Sequence, residues 1–293
     1  MAEEGVIDKP SARVARDASG FPLITVRSVN GSTFEITQER YEKNPALPDR
    51  PKYNRPRRGS KWDVPLWYQI NHEPSQNRDE EFLLFAGGSL YISADTANTI
   101  IVVNAERYGL YRQNYDVEGW KKIGQQLLKN HTCRSEAPVA KLVLIYHDRI
   151  IRRTRNAIIS DAFAAALAGR IDYKTVLDLI RYLKNETEYV PWQAAINGLI
   201  QLRALIGNAP VAKIFRLYIR RVLGTIYKND FFDDLSRTYR DDSLFFDNKL
   251  KARAIEFVCE SGATDCTDKY AQLFKQEVLE KCEEGMRASN CVK

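Results

Sequence analysis

The sequence predicts a multidomain α+β fold, a small antiparallel β-sandwich followed by a predominantly α-helical bundle or superhelix. Three observations carry this. Short strand-like runs separated by turn residues fill roughly residues 20–103. From residue 116 onward, apolar residues recur at spacings of three and four. The chain has 293 residues and 44% hydrophobic content, enough to bury the cores of two domains.

In chain order, residues 1–19 are polar, lack the apolar core of a signal peptide, and are expected to be poorly ordered. Phe21–Val26 and Thr33–Thr37 flank Val29-Asn30-Gly31-Ser32, a hairpin signal. Further strand-like runs are Val64–Ile70, Phe82–Phe85, Ser89–Ile92 and Thr99–Val103, with Gly87-Gly88 as a turn between two of them. The stretch Arg40–Lys61 is rich in Pro, Arg and Lys. Its prolines interrupt any continuous basic face, so a solvated loop is expected rather than an RNA- or membrane-binding arm. The net charge of +6 is modest for the length and gives no reason to expect a nucleic-acid partner.

Asp116 is placed to cap a helix with Trp120, Ile123 and Leu127 on its apolar face. Ile159, Ala162, Phe163 and Ala166 form a second stripe, which Gly169 would close. Val176, Leu179, Ile180 and Leu183 form a third. Pro191 suits a first helical turn leading into Trp192, Ala195, Ile196, Leu199 and Leu202, and Pro210 opens a helix through Ile214, Phe215, Tyr218 and Val222. Two more helices are expected around Leu250–Cys259 and Lys269–Lys281. Short links between amphipathic helices imply antiparallel neighbours, so residues 104–293 read as one helical domain. No apolar run reaches the roughly 20 residues of a membrane helix.

The chemistry is sparse. The three histidines are His72, His131 and His147, at separations of 59 and 16 residues. None forms an H-E-x-x-H pair, which needs two imidazoles one helical turn apart, so no catalytic or metal-ligating residue is expected. There is no P-loop, no G-x-G-x-x-G and no G-x-S-x-G elbow. The pairs Asp233-Asp234 and Asp241-Asp242 fall at expected helix boundaries, where capping is the natural role. Trp120 and Trp192 fall on apolar faces and read as core.

Four of five cysteines lie in the last 35 residues, at Cys259, Cys266, Cys282 and Cys291, with no histidine nearby. That clustering favours disulfides in a secreted context over a zinc finger. A Cys259–Cys266 bridge would staple a helix–turn–helix corner. Cys282 and Cys291 could bridge each other, or one could pair elsewhere. Three N-x-[ST] sequons make Asn30, Asn130 and Asn185 glycosylation candidates.

The run Asn104–Asp116 (NAERYGLYRQNYD) resembles the N-x-x-x-x-G-[YL]-Y-R-x-N-Y-D signature of aminopeptidase N-type zinc metallopeptidases. Lys61–Leu66 (KWDVPL), Asp161-Ala162-Phe163, and Glu186–Trp192 (ETEYVPW) are similar to further motifs of that family, as is the Cys259–Cys266 spacing. The resemblance runs from about residue 20 to 280. It implies zinc exopeptidases that remove N-terminal residues from peptides, of which this chain corresponds only to the sandwich and part of the helical domain. It further implies zinc in the parent enzyme but no cofactor here, with the missing catalytic domain and peptide substrates as partners and a homodimer as one arrangement. It implies an extracellular or plasma-membrane ectodomain. The role expected for the chain is to cap the active-site cleft, the alternative being a stand-alone peptide- or protein-binding module.

Two features depart from the family pattern. Gly20-Phe21-Pro22 is preceded by Ala15–Ser19 where the family has a tryptophan nearby. About 17 residues, Cys133–Arg149, separate His131-Thr132 from the helix bearing Asp161, where the family runs almost directly on. This insert is expected to be a translated intron, or else a surface loop or an extra strand.

Overall fold

The computed structural model describes residues 20–44, 61–70, 73–74, 82–84, 86–94, 99–129 and 141–280. The expectations for residues 1–19 and for most of the Arg40–Lys61 stretch lie outside these residues. The chain divides into two compact units, one reaching to Tyr182 and one beginning at Leu183. The boundary set at 103/104 from the sequence falls inside the first.

In the first unit, β1 (Pro22–Ser28) and β2 (Thr33–Arg40) form an antiparallel hairpin with Val26 opposite Ile36. In β2, Phe34 and Ile36 are buried in alternation, as a half-covered strand requires, whereas the consecutive residues Leu23–Val26 are all buried, so β1 is covered on both faces. The run Val64–Ile70 splits at Trp67 into β3 (Val64–Leu66) and β4 (Tyr68–Ile70), which belong to different sheets. The remaining strands are β5 (Glu73–Pro74), β6 (Phe82–Leu84), β7 (Leu90–Ser93), β8 (Ile101–Val103) and β9 (Arg112–Tyr115). Among the described residues they form a four-stranded sheet β7-β2-β1-β9, a pair β3-β6 and a three-stranded sheet β5-β4-β8.

The described strands of residues 20–103 pair antiparallel throughout, and β9, in the segment expected to be helical, pairs parallel with β1, Leu23 opposite Arg112 and Val26 opposite Tyr115. The reason is connectivity. Strand β9 comes last of the strands in the chain, and it lies along the outer side of β1 in the same direction rather than returning by a tight turn.

Among the described residues, three α-helices complete this unit. Helix α1 (Val117–Lys129) buries Trp120, Ile123 and Leu127, and Asp116 Oδ1 accepts the Gly119 amide at 2.7 Å as its cap. Helix α2 (Lys141–Leu167) contains Ile159, Ala162, Phe163 and Ala166, all buried, and Gly169 follows it at φ 70°. Its backbone takes up residues 141–149, so this part of the insert is neither loop nor strand but the start of the helix that carries Asp161. Helix α3 (Tyr173–Leu179) packs on α1 and α2. A 3-10 helix, Ile180–Asn185, spans the division between units.

The second unit holds α4 (Tyr189–Ile206), α5 (Ala212–Leu223), α6 (Phe231–Thr238), α7 (Phe245–Glu260) and α8 (Thr264–Phe274). Pro191 sits in the first turn of α4, where its missing N–H breaks no bond. Helix α7 is central, touching α4, α5, α6 and α8, and it buries Leu250, Ala254, Ile255, Phe257 and Val258. The helix expected at Lys269–Lys281 begins earlier, at Thr264, and passes into a π-turn over Lys275–Leu279.

Candidate functional site

The densest polar construction in the first unit is built on Asp161, a fully buried carboxylate on α2. Its Oδ1 accepts from Arg112 Nη1 at 2.6 Å and Arg107 Nη2 at 3.2 Å, and its Oδ2 from the Gln113 amide at 3.2 Å. Burial pushes the Asp161 carboxyl up from the usual range, against the pull of the two guanidiniums and the amide. The Arg112 guanidinium also lies over the Tyr41 ring at 5.0 Å and the Phe21 ring at 5.8 Å. Tyr41 in turn packs with Leu23, Ala164 and Ala168, joining the sheet to α2.

The loop leading into β9 is shaped by Asn104, at φ 53° and fully buried. Its Nδ2 donates to the carbonyls of Tyr111 at 2.6 Å and Gly109 at 3.1 Å, and its Oδ1 accepts from the Gly109 amide at 2.9 Å. Asparagine tolerates this left-handed backbone better than most residues. A Cβ on Gly109 would overlap the Tyr111 ring, so the close approach requires glycine. Arg107 also has positive φ, 59°, and its ion pair with Asp161 helps hold that disfavoured backbone. Further along, Asn114 Oδ1 accepts from Trp120 Nε1 at 3.1 Å, and Tyr115 donates to Gln113 Oε1 at 2.6 Å while accepting from the Val103 amide at 3.0 Å. Asp116 Oδ2 accepts from the Ser28 amide at 2.9 Å. Asn104, Arg107, Arg112, Gln113, Asn114, Tyr115 and Asp116 of the signature are thus engaged in internal bonds, and this construction acts as a joint between the sheet and the helices.

Burial raises the Tyr111 and Tyr115 phenols well above the ordinary range. The fold therefore favours the neutral phenols. Their stabilising contribution is complete below the ordinary phenol value of about 10 and is lost as pH rises above it, at about 1.4 kcal/mol per pH unit for each ring. We expect alkaline unfolding in which these two tyrosines ionise together with the loss of circular dichroism. Full ionisation of all tyrosines with the dichroism unchanged would contradict the assignment.

In the second unit, Cys259 and Cys266 form a disulfide between the end of α7 and the first turn of α8. Gly262 makes the turn between them at φ 79°, and Arg220 from α5 donates to the carbonyls of Ser261, at 2.8 Å, and Gly262. Closing so short a loop is worth about 2–2.5 kcal/mol in the chain-entropy model. The Cys259→Ala/Cys266→Ala variant is expected to unfold at lower urea by that amount, and a reductant should lower the wild type but not the variant. An unchanged urea midpoint would show that the Arg220 bonds hold the corner alone. Cys282 and Cys291 lie outside the described residues.

The remaining residues singled out from sequence do not gather at a cleft. Asp233 and Asp234 lie in the first turn of α6, where Asp234 pairs with Lys251 and with Arg237 at 3.5 Å, and Asp233 with Lys269 at 3.4 Å. Asp241 caps a short 3-10 turn through the Ser243 amide at 2.9 Å. Trp120 and Trp192 are buried core residues. Asn30 and Asn185 are exposed, and Asn130 lies outside the described residues. So do His72 and His131, while His147 falls on the backbone of α2, outside the described side chains. Zinc, which the family resemblance implies for the parent enzyme, does not fit a site built from the described residues: among them no three His, Cys, Asp or Glu side chains gather to hold a metal ion, and Asp161 is committed to two guanidiniums.

A unit of mixed sheets and helices and a second, helical unit make this an α+β chain. The chain belongs to the ERAP1-like C-terminal domain family, whose model matches residues 100–287. It is 40% identical over 274 residues to Aminopeptidase N of Haemonchus contortus, covering 94% of this chain and 26% of that protein. It is 27% identical over 277 residues to Aminopeptidase-like protein AC3.5 of Caenorhabditis elegans, covering 94% and 23%. Glutamyl aminopeptidase of Homo sapiens is 27% identical over 266 residues, covering 88% and 24%. The chain spans about a quarter of the length of these relatives.

Proposed function

We propose that the chain is the non-catalytic C-terminal part of a zinc aminopeptidase, in which a β-sandwich spaces, and the helices cap, the cleft where N-terminal residues are removed from peptides. The observation that carries this reading is the match of residues 100–287 to a C-terminal domain family, together with alignment to only about a quarter of each aminopeptidase. A cap of this kind shapes peptide access and excludes water without taking part in the chemistry. The buried, multiply bonded joint at Asp161 supports it, since a cap has to hold its shape.

The Cys259–Cys266 disulfide supports an ectodomain setting, and no helix among the described residues is long and apolar enough to cross a membrane. In that setting the partners are the catalytic domain and peptide substrates.

The test is turnover of amino-acid anilides by the purified chain with zinc added and bound metal quantified. We expect no stoichiometric zinc and no turnover, with activity recovered only when a catalytic domain of the family is supplied. Chelator-sensitive turnover by the chain alone would overturn the proposal. Tight peptide binding by the chain alone, with no gain on adding the catalytic domain, would favour a stand-alone binding module instead.

A further inference from the structure

We propose that Asn30 carries an N-linked oligosaccharide, and that the β1–β2 turn holds this sequon in a form open to modification. The inference rests on the ectodomain reading above. Asn30-Gly31-Ser32 is the reversal between β1 and β2, with Val29, Asn30 and Ser32 all exposed. Gly31 takes φ 81°, a left-handed backbone that suits glycine, so the turn is set by its own sequence. Within it, Asn30 Oδ1 accepts from the Thr33 amide at 2.8 Å, the Ser32 amide at 3.3 Å and the Ser32 hydroxyl at 3.4 Å.

Those three bonds fix the carboxamide through its oxygen and leave Nδ2, the atom that would be modified, outside them. They also bring the Ser32 hydroxyl, the third sequon position, against the Asn30 side chain. In the transfer, Nδ2 forms a bond to the anomeric carbon of a lipid pyrophosphate-linked oligosaccharide. The bond from that carbon to the pyrophosphate oxygen breaks, the pyrophosphate leaves with the electron pair, and one Nδ2 proton is released to water. A glycan here projects from a hairpin tip, and no described backbone hydrogen bond would be broken to accommodate it.

Asn185 offers a contrast within the same chain. It ends a 3-10 helix, and the next residue, Glu186, is buried with its carboxylate accepting the Thr187 and Glu188 amides, both at 3.1 Å. That sequon is held by its middle residue, and no bond from its hydroxyl to Asn185 shapes it.

The experiment is glycopeptide analysis of the protein purified from its source. The chain is treated with amidase in heavy-oxygen water, so that each glycosylated asparagine becomes a labelled aspartate, and the redox state of Cys259 and Cys266 is read in the same digest. We expect the Ser28–Arg40 tryptic peptide to be labelled at Asn30, and Ser32→Ala expressed through a secretory route to lose one glycan's worth of mass. An oxidised Cys259–Cys266 pair with Asn30 unlabelled would overturn this proposal and leave the ectodomain reading standing. Reduced cysteines with no sequon labelled would overturn both.

Discussion

Replacing Asp161 with alanine is expected to destabilise the first unit by about 3–4 kcal/mol, within the roughly 3–5 kcal/mol for breaking a buried ion pair by removing one partner. The variant leaves Arg107 and Arg112 facing each other across the vacated carboxylate, and the Gln113 amide loses its acceptor. Both guanidiniums retain some solvent, 34% and 25% of their side-chain surface, which keeps the loss below the top of that range. The network is already strained for partners, because Arg112 Nε and Gln113 Nε2 are buried without a hydrogen bond among the described residues. Hydrogen exchange should therefore rise along β9 and the second half of α2. The double variant Asp161→Leu/Arg112→Met should cost less than the sum of its parts, since it removes the closer ion pair as a unit and leaves only Arg107 without its partner. Additive losses, or an Asp161→Ala chain with wild-type exchange, would show that the joint does not depend on this carboxylate.

Much of the fold could be read directly from residue spacing. The hairpin turn at Asn30-Gly31, the buried stripe of Trp120, Ile123 and Leu127, the Asp116 cap and the Gly169 stop are all local, set within a few residues by turn chemistry or helical period. Strand β9 was not legible. Its residues, Arg-Gln-Asn-Tyr, have neither the β-branched content nor the alternation of a strand, and they are extended because β1 offers an open edge 89 positions earlier in the chain. The Asp161 node was hidden for a similar reason. Its partners lie 48–54 residues away, and nothing in their spacing shows that they meet. The signal that could have found them was the signature itself. Two arginines in a run dense with Asn, Gln and Tyr, and an aspartate in the middle of an apolar helix stripe, each call for a buried partner. The helical start of the insert was missed because Leu142–Tyr146 is an unbroken apolar run without the three-and-four spacing of an amphipathic helix.

Trp192 is where the second unit should be most sensitive, and the paired substitutions separate volume from hydrogen bonding. The side chain is fully buried in α4, and its Nε1 donates to the Glu186 carbonyl at 2.9 Å. Trp192→Ala removes the whole indole from a packed interior, for which a loss of about 3–5 kcal/mol is expected. Trp192→Phe keeps most of the apolar volume but takes the donor from Glu186, so its loss should be about 1–3 kcal/mol. The Glu186 carboxylate caps the two following amides whichever ring is present, so the turn into α4 should survive in the phenylalanine variant. Exchange protection of the α4 amides is the direct reading: it should collapse in the alanine variant and fall only in the first turn in the phenylalanine one. Equal losses in both would mean that the single bond to Glu186, not the buried volume, anchors α4. A loss below about 1 kcal/mol for Trp192→Ala would mean that the neighbouring side chains close over the cavity, contrary to the usual partial relaxation of packed cores.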